Sequence, residues 1–285
     1  MELIRQARAA HARTDRWREA GGGVGLVPTM GALHRGHVSL FRAAREACDR
    51  VAVTIFVNPL QFDDEHDLEG YPRDEDADLA LCASEGVDLV WAPPVDEVYP
   101  PGIDVPSPDP GPVGGTFEGA ARPGHFAGVL KVVHRLFDVI GPSRAFFGEK
   151  DAQQLFLVRR MVREHHLPVE VVGRPTVREP DGLAISSRNA RLSPDEREQA
   201  ACLFLALTEA AALARAGERR SAPLVAAMAR EIGATPLARL DYAAVVDDPT
   251  FEPIDPIEGP ARAIVAAAFP SARLIDNLPL PEPVS

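Results

Sequence analysis

The tetrad His34-Arg35-Gly36-His37 sets two imidazoles three positions apart with a glycine between them, about seven residues beyond the apolar run 24–27. Residues three apart share one face of a helix. Gly21-Gly22-Gly23 precedes the run and Pro28-Thr29-Met30-Gly31 follows it. The segment therefore predicts a buried strand, a glycine turn and a helix that starts near His34. A helix N-terminus presents free backbone N–H groups and the positive end of the macrodipole, and both favour a phosphate. Two imidazoles there can donate to a phosphate chain, and Gly36 leaves room for a flat base or ribose against the backbone. Paired histidines at a helix start equally serve as solvent-exposed or capping residues. A zinc site is disfavoured, because no Cys or His cluster with ligand spacing accompanies the pair.

Two later segments carry matching chemistry. Gly148-Glu149-Lys150-Asp151 lies where a predicted strand (145–147) hands over to a predicted helix (151–165). Of 30 basic side chains only Lys131 and Lys150 are lysines, so a compact ammonium is retained at position 150 in a chain that otherwise uses arginine. It can neutralise phosphate oxygens, while Glu149 or Asp151 can accept from ribose hydroxyls. A solvated charged turn with an aspartate cap accounts for the same residues. The third segment, Ser186-Ser187-Arg188-Asn189, follows the turn Pro180-Asp181-Gly182 and offers two hydroxyls and a guanidinium, although a lone Ser-Ser-Arg is most often just a loop.

The elements that must position these groups alternate. A helix is expected over 3–20, strands over 24–27, 51–57, 87–91, 145–147 and 169–172, and helices from 34, over 74–85, 128–140 and 151–165. Such alternation implies right-handed crossovers and an α/β doubly wound parallel sheet, with ligands at the carboxyl ends of its strands. Residues 93–123 hold nine of the chain's 27 prolines and predict a long loop or flap, or an ordinary surface excursion. Beyond about residue 177 the pattern changes. Ser193-Pro194-Asp195-Glu196 is a capping box opening a helix to about residue 216, a second helix covers 224–232, and strands cover 240–246, 262–269 and 273–278. The expectation is two domains, 1–176 and a smaller α+β domain, 177–285, that closes over the site.

The formal net charge of −12 over 285 residues argues against nucleic acid and anionic membranes as partners and favours a small-molecule substrate. Cys48, Cys82 and Cys202 are odd in number and widely spaced, which suits reduced thiols in a cytoplasmic protein. No apolar signal core or bilayer-spanning stretch is present in the sequence.

Together the segments resemble the nucleotidyltransferases that carry a His-x-Gly-His motif. With 28–37 (PTMGALHRGH), 56–62 (FVNPLQF), 71–73 (YPR), 122–126 (RPGHF), 147–154 (FGEKDAQQ) and 186–189 (SSRN), nearly the whole chain resembles the AMP-forming pantoate–beta-alanine ligase family. The resemblance implies a Rossmann-like N-terminal domain and an ATP site lined by Met30, Gly31, Ala32, Leu33, His34, Arg35, Gly36 and His37, with His37 as proton donor and phosphate ligand. Gly148, Glu149, Lys150, Asp151, Val177, Ile185, Ser186, Ser187 and Arg188 would complete the pocket. It implies Gln61 and Gln154 for pantoate, Gln61 also near beta-alanine, catalysis by His34, His37, Lys150 and Arg188, magnesium accompanying ATP, and a homodimer. Position 185 is Ile where the family commonly has Met, and Ala77 interrupts an acidic run (74–78) sometimes associated with magnesium, so the metal ligands stay unassigned. Other readings are a nucleotidyltransferase passing AMP or CMP to a phosphorylated small-molecule acceptor, a class I aminoacyl-tRNA synthetase fragment, disfavoured by the acidic charge, and a nucleotide sensor without turnover.

Overall fold

The computed structural model describes residues 1–62 and 68–281. Contacts divide the chain into two units, Met1–Glu149 with Leu157–Pro175, and Lys150–Phe156 with Thr176–Ser285.

The first unit is built on a six-stranded, wholly parallel sheet in the order β1-β4-β3-β2-β5-β6. The strands are β1 (Glu2–Ile4), β2 (Val24–Thr29), β3 (Arg50–Ile55), β4 (Leu89–Trp91), β5 (Arg144–Gly148) and β6 (Glu170–Arg174). The crossovers include α1 (Ala7–Glu19), α2 (Arg35–Ala47) and α3 (Glu75–Ser84). Central strands are covered on both faces, which explains their uninterrupted apolar runs. Val27, Val51, Val53, Val90 and Phe146 are fully buried there with Phe41 of α2.

The strand order turns at β2, which has β3 on one side and β5 on the other. In open α/β sheets ligands collect outside the carboxyl ends of the strands flanking such a reversal. The His-x-Gly-His turn follows β2 and the Gly148-Glu149 turn follows β5.

One expectation is corrected here. The helix predicted over 3–20 begins only at Ala7, because residues 2–4 pair in parallel with β4 as an edge strand. Helical periodicity cannot see a strand edge far away in sequence. The 93–123 segment holds only single turns, α4 (Val95–Val98), a 3₁₀ turn (Pro112–Gly115) and α5 (Glu118–Ala121), as its prolines require. The long helix α6 (His125–Ile140) follows, with most of its residues buried.

The second unit starts with the first turns of α7 (Ala152–Glu164) and continues through α8 (Pro194–Gln199), α9 (Cys202–Arg215) and α10 (Ser221–Gly233) to an antiparallel sheet, β7 (Arg239–Asp247), β8 (Ala261–Ala268) and β9 (Arg273–Pro279). The α+β character follows the expectation. The single helix predicted over 194–216 is instead two helices, broken at Ala200-Ala201. Tertiary bonds hold the first one. The Glu196 carboxylate closes the predicted capping box on Ser193 and also accepts from the Ser271 N–H at 2.7 Å, while Gln199 Oε1 accepts from the Leu237 N–H at 2.9 Å. Leu203, Leu207, Leu224, Met228 and Val265 form this unit's core.

Candidate active site

The tetrad takes the capping role that the sequence allowed. His34 is the N-cap of α2, and its Nδ1 accepts from the Gly36 N–H at 3.2 Å. His37, at the third helical position, returns its Nδ1 to the His34 N–H at 3.2 Å, closing a capping box made of two imidazoles. A ring nitrogen that accepts from an N–H carries no proton, so in the neutral rings both Nδ1 atoms are bare and both protons sit on Nε2. The cap thereby sets the tautomer of two rings whose centroids lie 4.1 Å apart. Burial, and second the nearby His34, push the His37 pKa down to about 3, so this ring is neutral near pH 7. Gly36 has a local reason as well. A Cβ there would lie 2.9 Å from the His34 ring, so its missing side chain makes room for the capping imidazole.

The preceding turn, Met30 to Leu33, is held by a residue that the sequence reading did not single out. Gly31 and Ala32 both have left-handed φ, +80° and +50°. The buried Asp78 of α3 accepts from the Ala32 N–H at 2.9 Å and the Leu33 N–H at 2.8 Å. A Cβ at Gly31 would lie 2.7 Å from Asp78 Oδ2, so glycine is needed for space as well as for φ. Burial pushes the Asp78 pKa up and the two N–H bonds pull it back only in part. We predict that Asp78→Asn, which turns an NH2 toward one of two backbone donors, destabilises the protein by roughly 1–3 kcal/mol. Urea unfolding midpoints at pH 7 check this, and an unchanged midpoint with unchanged slope counts against it.

Two further carboxylates of the acidic run are also engaged. Asp74 Oδ1 caps α3 through the Ala77 N–H, and Glu75 takes both arms of Arg5 at 2.9 and 2.5 Å. Among the described residues no group of three or more His, Cys, Asp or Glu is placed to hold a metal ion.

Gln61 sits in a 3₁₀ turn (Pro59–Gln61) after β3, and its amide orientation is dictated by its neighbours. Asn58 Oδ1 accepts from the Leu60 N–H (3.3 Å) and the Tyr99 hydroxyl (2.9 Å), and Asn58 Nδ2 donates to the Gly128 carbonyl (3.1 Å) and to Gln61 Oε1 (3.1 Å). A backbone N–H only donates and a carbonyl only accepts, so the Asn58 amide cannot be reversed. Gln61 must then face Asn58 with its oxygen and present its NH2 on the other side, where Nε2 lies 3.1 Å from Met30 Sδ. The 122–126 motif, which carried no role in the sequence reading, fixes the same residue's backbone. The Gln61 carbonyl lies 2.8 Å from His125 Nδ1 and accepts from Arg122 Nη2 at 3.1 Å. A Cβ on Gly128 would lie 2.1 Å from the Leu60 carbonyl oxygen.

In the second unit, Lys150 lies in a 3₁₀ turn (Glu149–Asp151) with its side chain 17% exposed, Nζ 3.8 Å from Asp151 Oδ1. Gln154 is half-buried on α7, next to the buried Gln153. Val177 and Ile185 come together, the Ile185 N–H donating to the Val177 carbonyl at 3.0 Å across a turn through Gly182. Ser186 caps the following 3₁₀ turn (Ser187–Arg191), its Oγ accepting from the Arg188 N–H at 3.3 Å. Asn189 Nδ2 donates to the Ala184 carbonyl, and its buried Oδ1 has no protein partner among the described residues.

The reversed strand order, with the imidazole cap after β2 and the lysine turn after β5, defines a doubly wound α/β protein of the kind that takes ligands at a strand-order reversal. The family model for pantoate-beta-alanine ligase matches residues 2–279, and the chain belongs to that family. It is 50% identical to the pantothenate synthetase of Rubrobacter xylanophilus over 98% of both chains, and 54% identical to that of Acidothermus cellulolyticus over 91% of this chain and 86% of the relative. The crystal structure of the Thermus thermophilus pantothenate synthetase superposes with a TM-score of 0.93 at 48% identity, covering 99% of this chain and 100% of that one. The Francisella tularensis pantoate-beta-alanine ligase complexed with beta-gamma ATP and beta-alanine superposes with a TM-score of 0.78 at 30% identity, covering 98% and 97%.

Proposed function

We infer that the chain condenses pantoate with beta-alanine at the expense of ATP, and that it does so through a pantoyl adenylate, releasing pyrophosphate and then AMP. The observation that supports the adenylate route is the imidazole cap, which keeps the protons of both rings on Nε2 at a helix N-terminus next to the strand-order reversal. Family membership across residues 2–279 supports the substrates.

In the first half-reaction a pantoate carboxylate oxygen bonds to the α-phosphorus and the bond to the pyrophosphate oxygen breaks. Negative charge grows on the non-bridging oxygens and on the departing pyrophosphate. We assign ATP binding to Met30 through His37, Gly148 to Asp151, Val177, and Ile185 to Arg188. His34 and His37 act as neutral N–H donors, Lys150 and Arg188 as fixed cations, and Ser186 and Ser187 as hydroxyl donors. Magnesium enters as the counter-ion of the ATP substrate. The engaged carboxylates of the 74–78 run do not fit a dedicated metal cage, and no step is assigned to the ion.

Gln61 and Gln154 take pantoate. A neutral amide suits carboxylate and hydroxyl oxygens without the tight ion pairing that blunts a nucleophile. In the second half-reaction the uncharged beta-alanine amine attacks the acyl carbon near Gln61, AMP leaves with the bonding pair, and the nitrogen releases one proton to solvent as the amide forms. We further propose a homodimer acting in the cytoplasm, which sedimentation and cell fractionation test. Among the described residues no helix is long and apolar enough to cross a membrane.

Incubation with ATP, magnesium and pantoate, with and without beta-alanine, tests the scheme. Pyrophosphate exchange without the amine, and AMP with amide only in its presence, are the expected results. Transfer of AMP to a phosphorylated acceptor, or tight ATP binding without turnover, refutes it. Gln61→Ala and Gln154→Ala are each expected to raise the pantoate KM by roughly 10- to 100-fold while moving the ATP KM little, since each loses one or two hydrogen bonds to a charged substrate. Unchanged pantoate kinetics remove the glutamines from the site.

A further inference from the structure

The small antiparallel sheet carries a polar group that its own stability does not explain. On β8 and β9, otherwise lined by Ala263, Val265, Ala267 and Leu274, the side chains of Arg262, Asp276 and Asn277 are buried. Buried ionic groups are often replaceable by apolar residues with no loss of stability, so such a cluster calls for a second reason.

The bonds of the dipeptide Asp276-Asn277 show where it acts. Asn277 Oδ1 accepts from Arg262 Nη1 at 2.6 Å, and Arg262 is itself held by Asp248 at 2.7 Å. That fixes the amide, and Asn277 Nδ2 donates to the main-chain carbonyl of Lys150 at 2.8 Å. Asp276 takes both arms of Arg178, at 2.6 and 3.0 Å, and Arg178 also donates to the Asn277 carbonyl at 3.2 Å. Arg178 lies 4.4 Å over the Phe204 ring and donates to the Gly182 carbonyl at 2.9 Å. A Cβ on Gly182 would lie 1.9 Å from that ring, so the glycine lets the turn close. Arg178 is the neighbour of Val177 in the turn that leads into Ser186, Ser187 and Arg188. One strand dipeptide therefore grips the Lys150 turn through an amide and the 177–188 segment through a guanidinium. Phe156, stacked on Phe251 at 5.6 Å, ties down the chain beyond Lys150.

We propose that Asp276 and Asn277 are positioning residues for adenylation, setting the separation between the Lys150 ammonium and the Ser186–Arg188 donors so that both meet one triphosphate. The inference rests on the assignment of Lys150 and Arg188 to ATP. Neither Asp276 nor Asn277 needs to touch the nucleotide. The nature of the tie is favourable for this purpose, because it holds the main chain of Lys150 and leaves the ammonium to the ligand.

A double-mutant cycle on the full-length enzyme tests it, with pantoate-dependent ATP–pyrophosphate exchange and MgATP affinity read in each protein. Asn277→Ala is expected to slow exchange on the order of 10- to 100-fold, as a misplacement of about 1 Å does. In a Lys150→Met background the same change is expected to cost less than about threefold, because the group it places is gone. Additive losses in the two backgrounds mark a general structural role and overturn the proposal, as does an Asn277→Ala enzyme with unaltered exchange. Asn277→Asp keeps the volume and the Arg262 contact but sets an oxygen against the Lys150 carbonyl, and it carries the cycle if the alanine variant does not fold. Failure of both to fold assigns the dipeptide to stability and rejects the idea. If Lys150→Met alone leaves exchange at the wild-type rate, the reading of Lys150 itself has failed, which the cycle separates from failure of the positioning claim.

Discussion

Lys150→Ala is expected to lower pantoate-dependent ATP–pyrophosphate exchange by about 10²–10³-fold while leaving the unfolding free energy within about 0.5 kcal/mol of wild type. The two halves of that expectation have separate grounds. A preorganised cation facing the charge that develops as pyrophosphate departs acts in the transition state, so its loss falls mainly on kcat. The fold loses little, because among the described residues the ammonium's ion pair is the long 3.8 Å contact with Asp151. What Asn277 grips is the carbonyl of residue 150, which alanine retains. Lys150→Arg sharpens the test. The chain uses arginine for 28 of its 30 basic side chains, and a planar fork cannot occupy the place of a compact ammonium without moving its neighbours, so only partial recovery is expected. Full recovery in the arginine variant, or exchange close to wild type in the alanine variant, removes Lys150 from the phosphate site.

Much of the fold was legible because central parallel strands announce themselves. Residues 24–27 and 51–57 are apolar runs too long and too β-branched for an exposed element, and each lies beside turn-forming glycines or a helix signal. The failures share one cause. Strand β1 pairs with the edge that β4 offers to residues 2–4, and α8, which ends before α9 begins, is held by the bonds of Glu196 and Gln199 to Ser271 and Leu237. Both are decided by partners far along the chain, which local periodicity cannot report.

The candidate site divides in the same way. The histidine tetrad was readable because its spacing and its place after a strand are local, and the structure adds that the two rings serve as a cap while keeping Nε2–H donors. Asp78 was hidden inside an acidic run that reads as solvated charge or metal ligand, whereas its burial against the Ala32 and Leu33 N–H groups is a tertiary fact. A weak signal existed. An aspartate inside the helical face of α3, one turn after its Asp74 cap, is placed toward the sheet rather than toward water. Asp276 and Asn277 had a plainer one, adjacent polar residues in a strand otherwise read as apolar, where one of two neighbouring side chains must point inward.

His37→Asn is expected to cost about 10²-fold or more in adenylation and to change the pH dependence of stability in a defined direction. The amide retains an oxygen toward the His34 N–H, so the α2 cap is preserved in part, but no shorter side chain returns an N–H to the position of Nε2. The sign of the pH effect follows from linkage. In the folded protein burial holds His37 near a pKa of about 3, while the unfolded chain titrates near 6.5. Below 6.5 the unfolded state therefore binds a proton that the folded state refuses. The contribution of a neutral His37 is fully present above pH 6.5 and is lost as pH falls toward about 3, at about 1.4 kcal/mol per pH unit once the unfolded histidine is protonated. The asparagine variant lacks this titration, so its stability between pH 6.5 and 4 is expected to fall less steeply, by close to one proton in the slope. Urea unfolding at pH 7, 6 and 5 measures the difference. The same neutral ring predicts that kcat/KM for ATP shows no break near pH 6.5 belonging to His37. A break there that vanishes in the variant, or identical stability slopes in the two proteins, contradicts a neutral His37 donor.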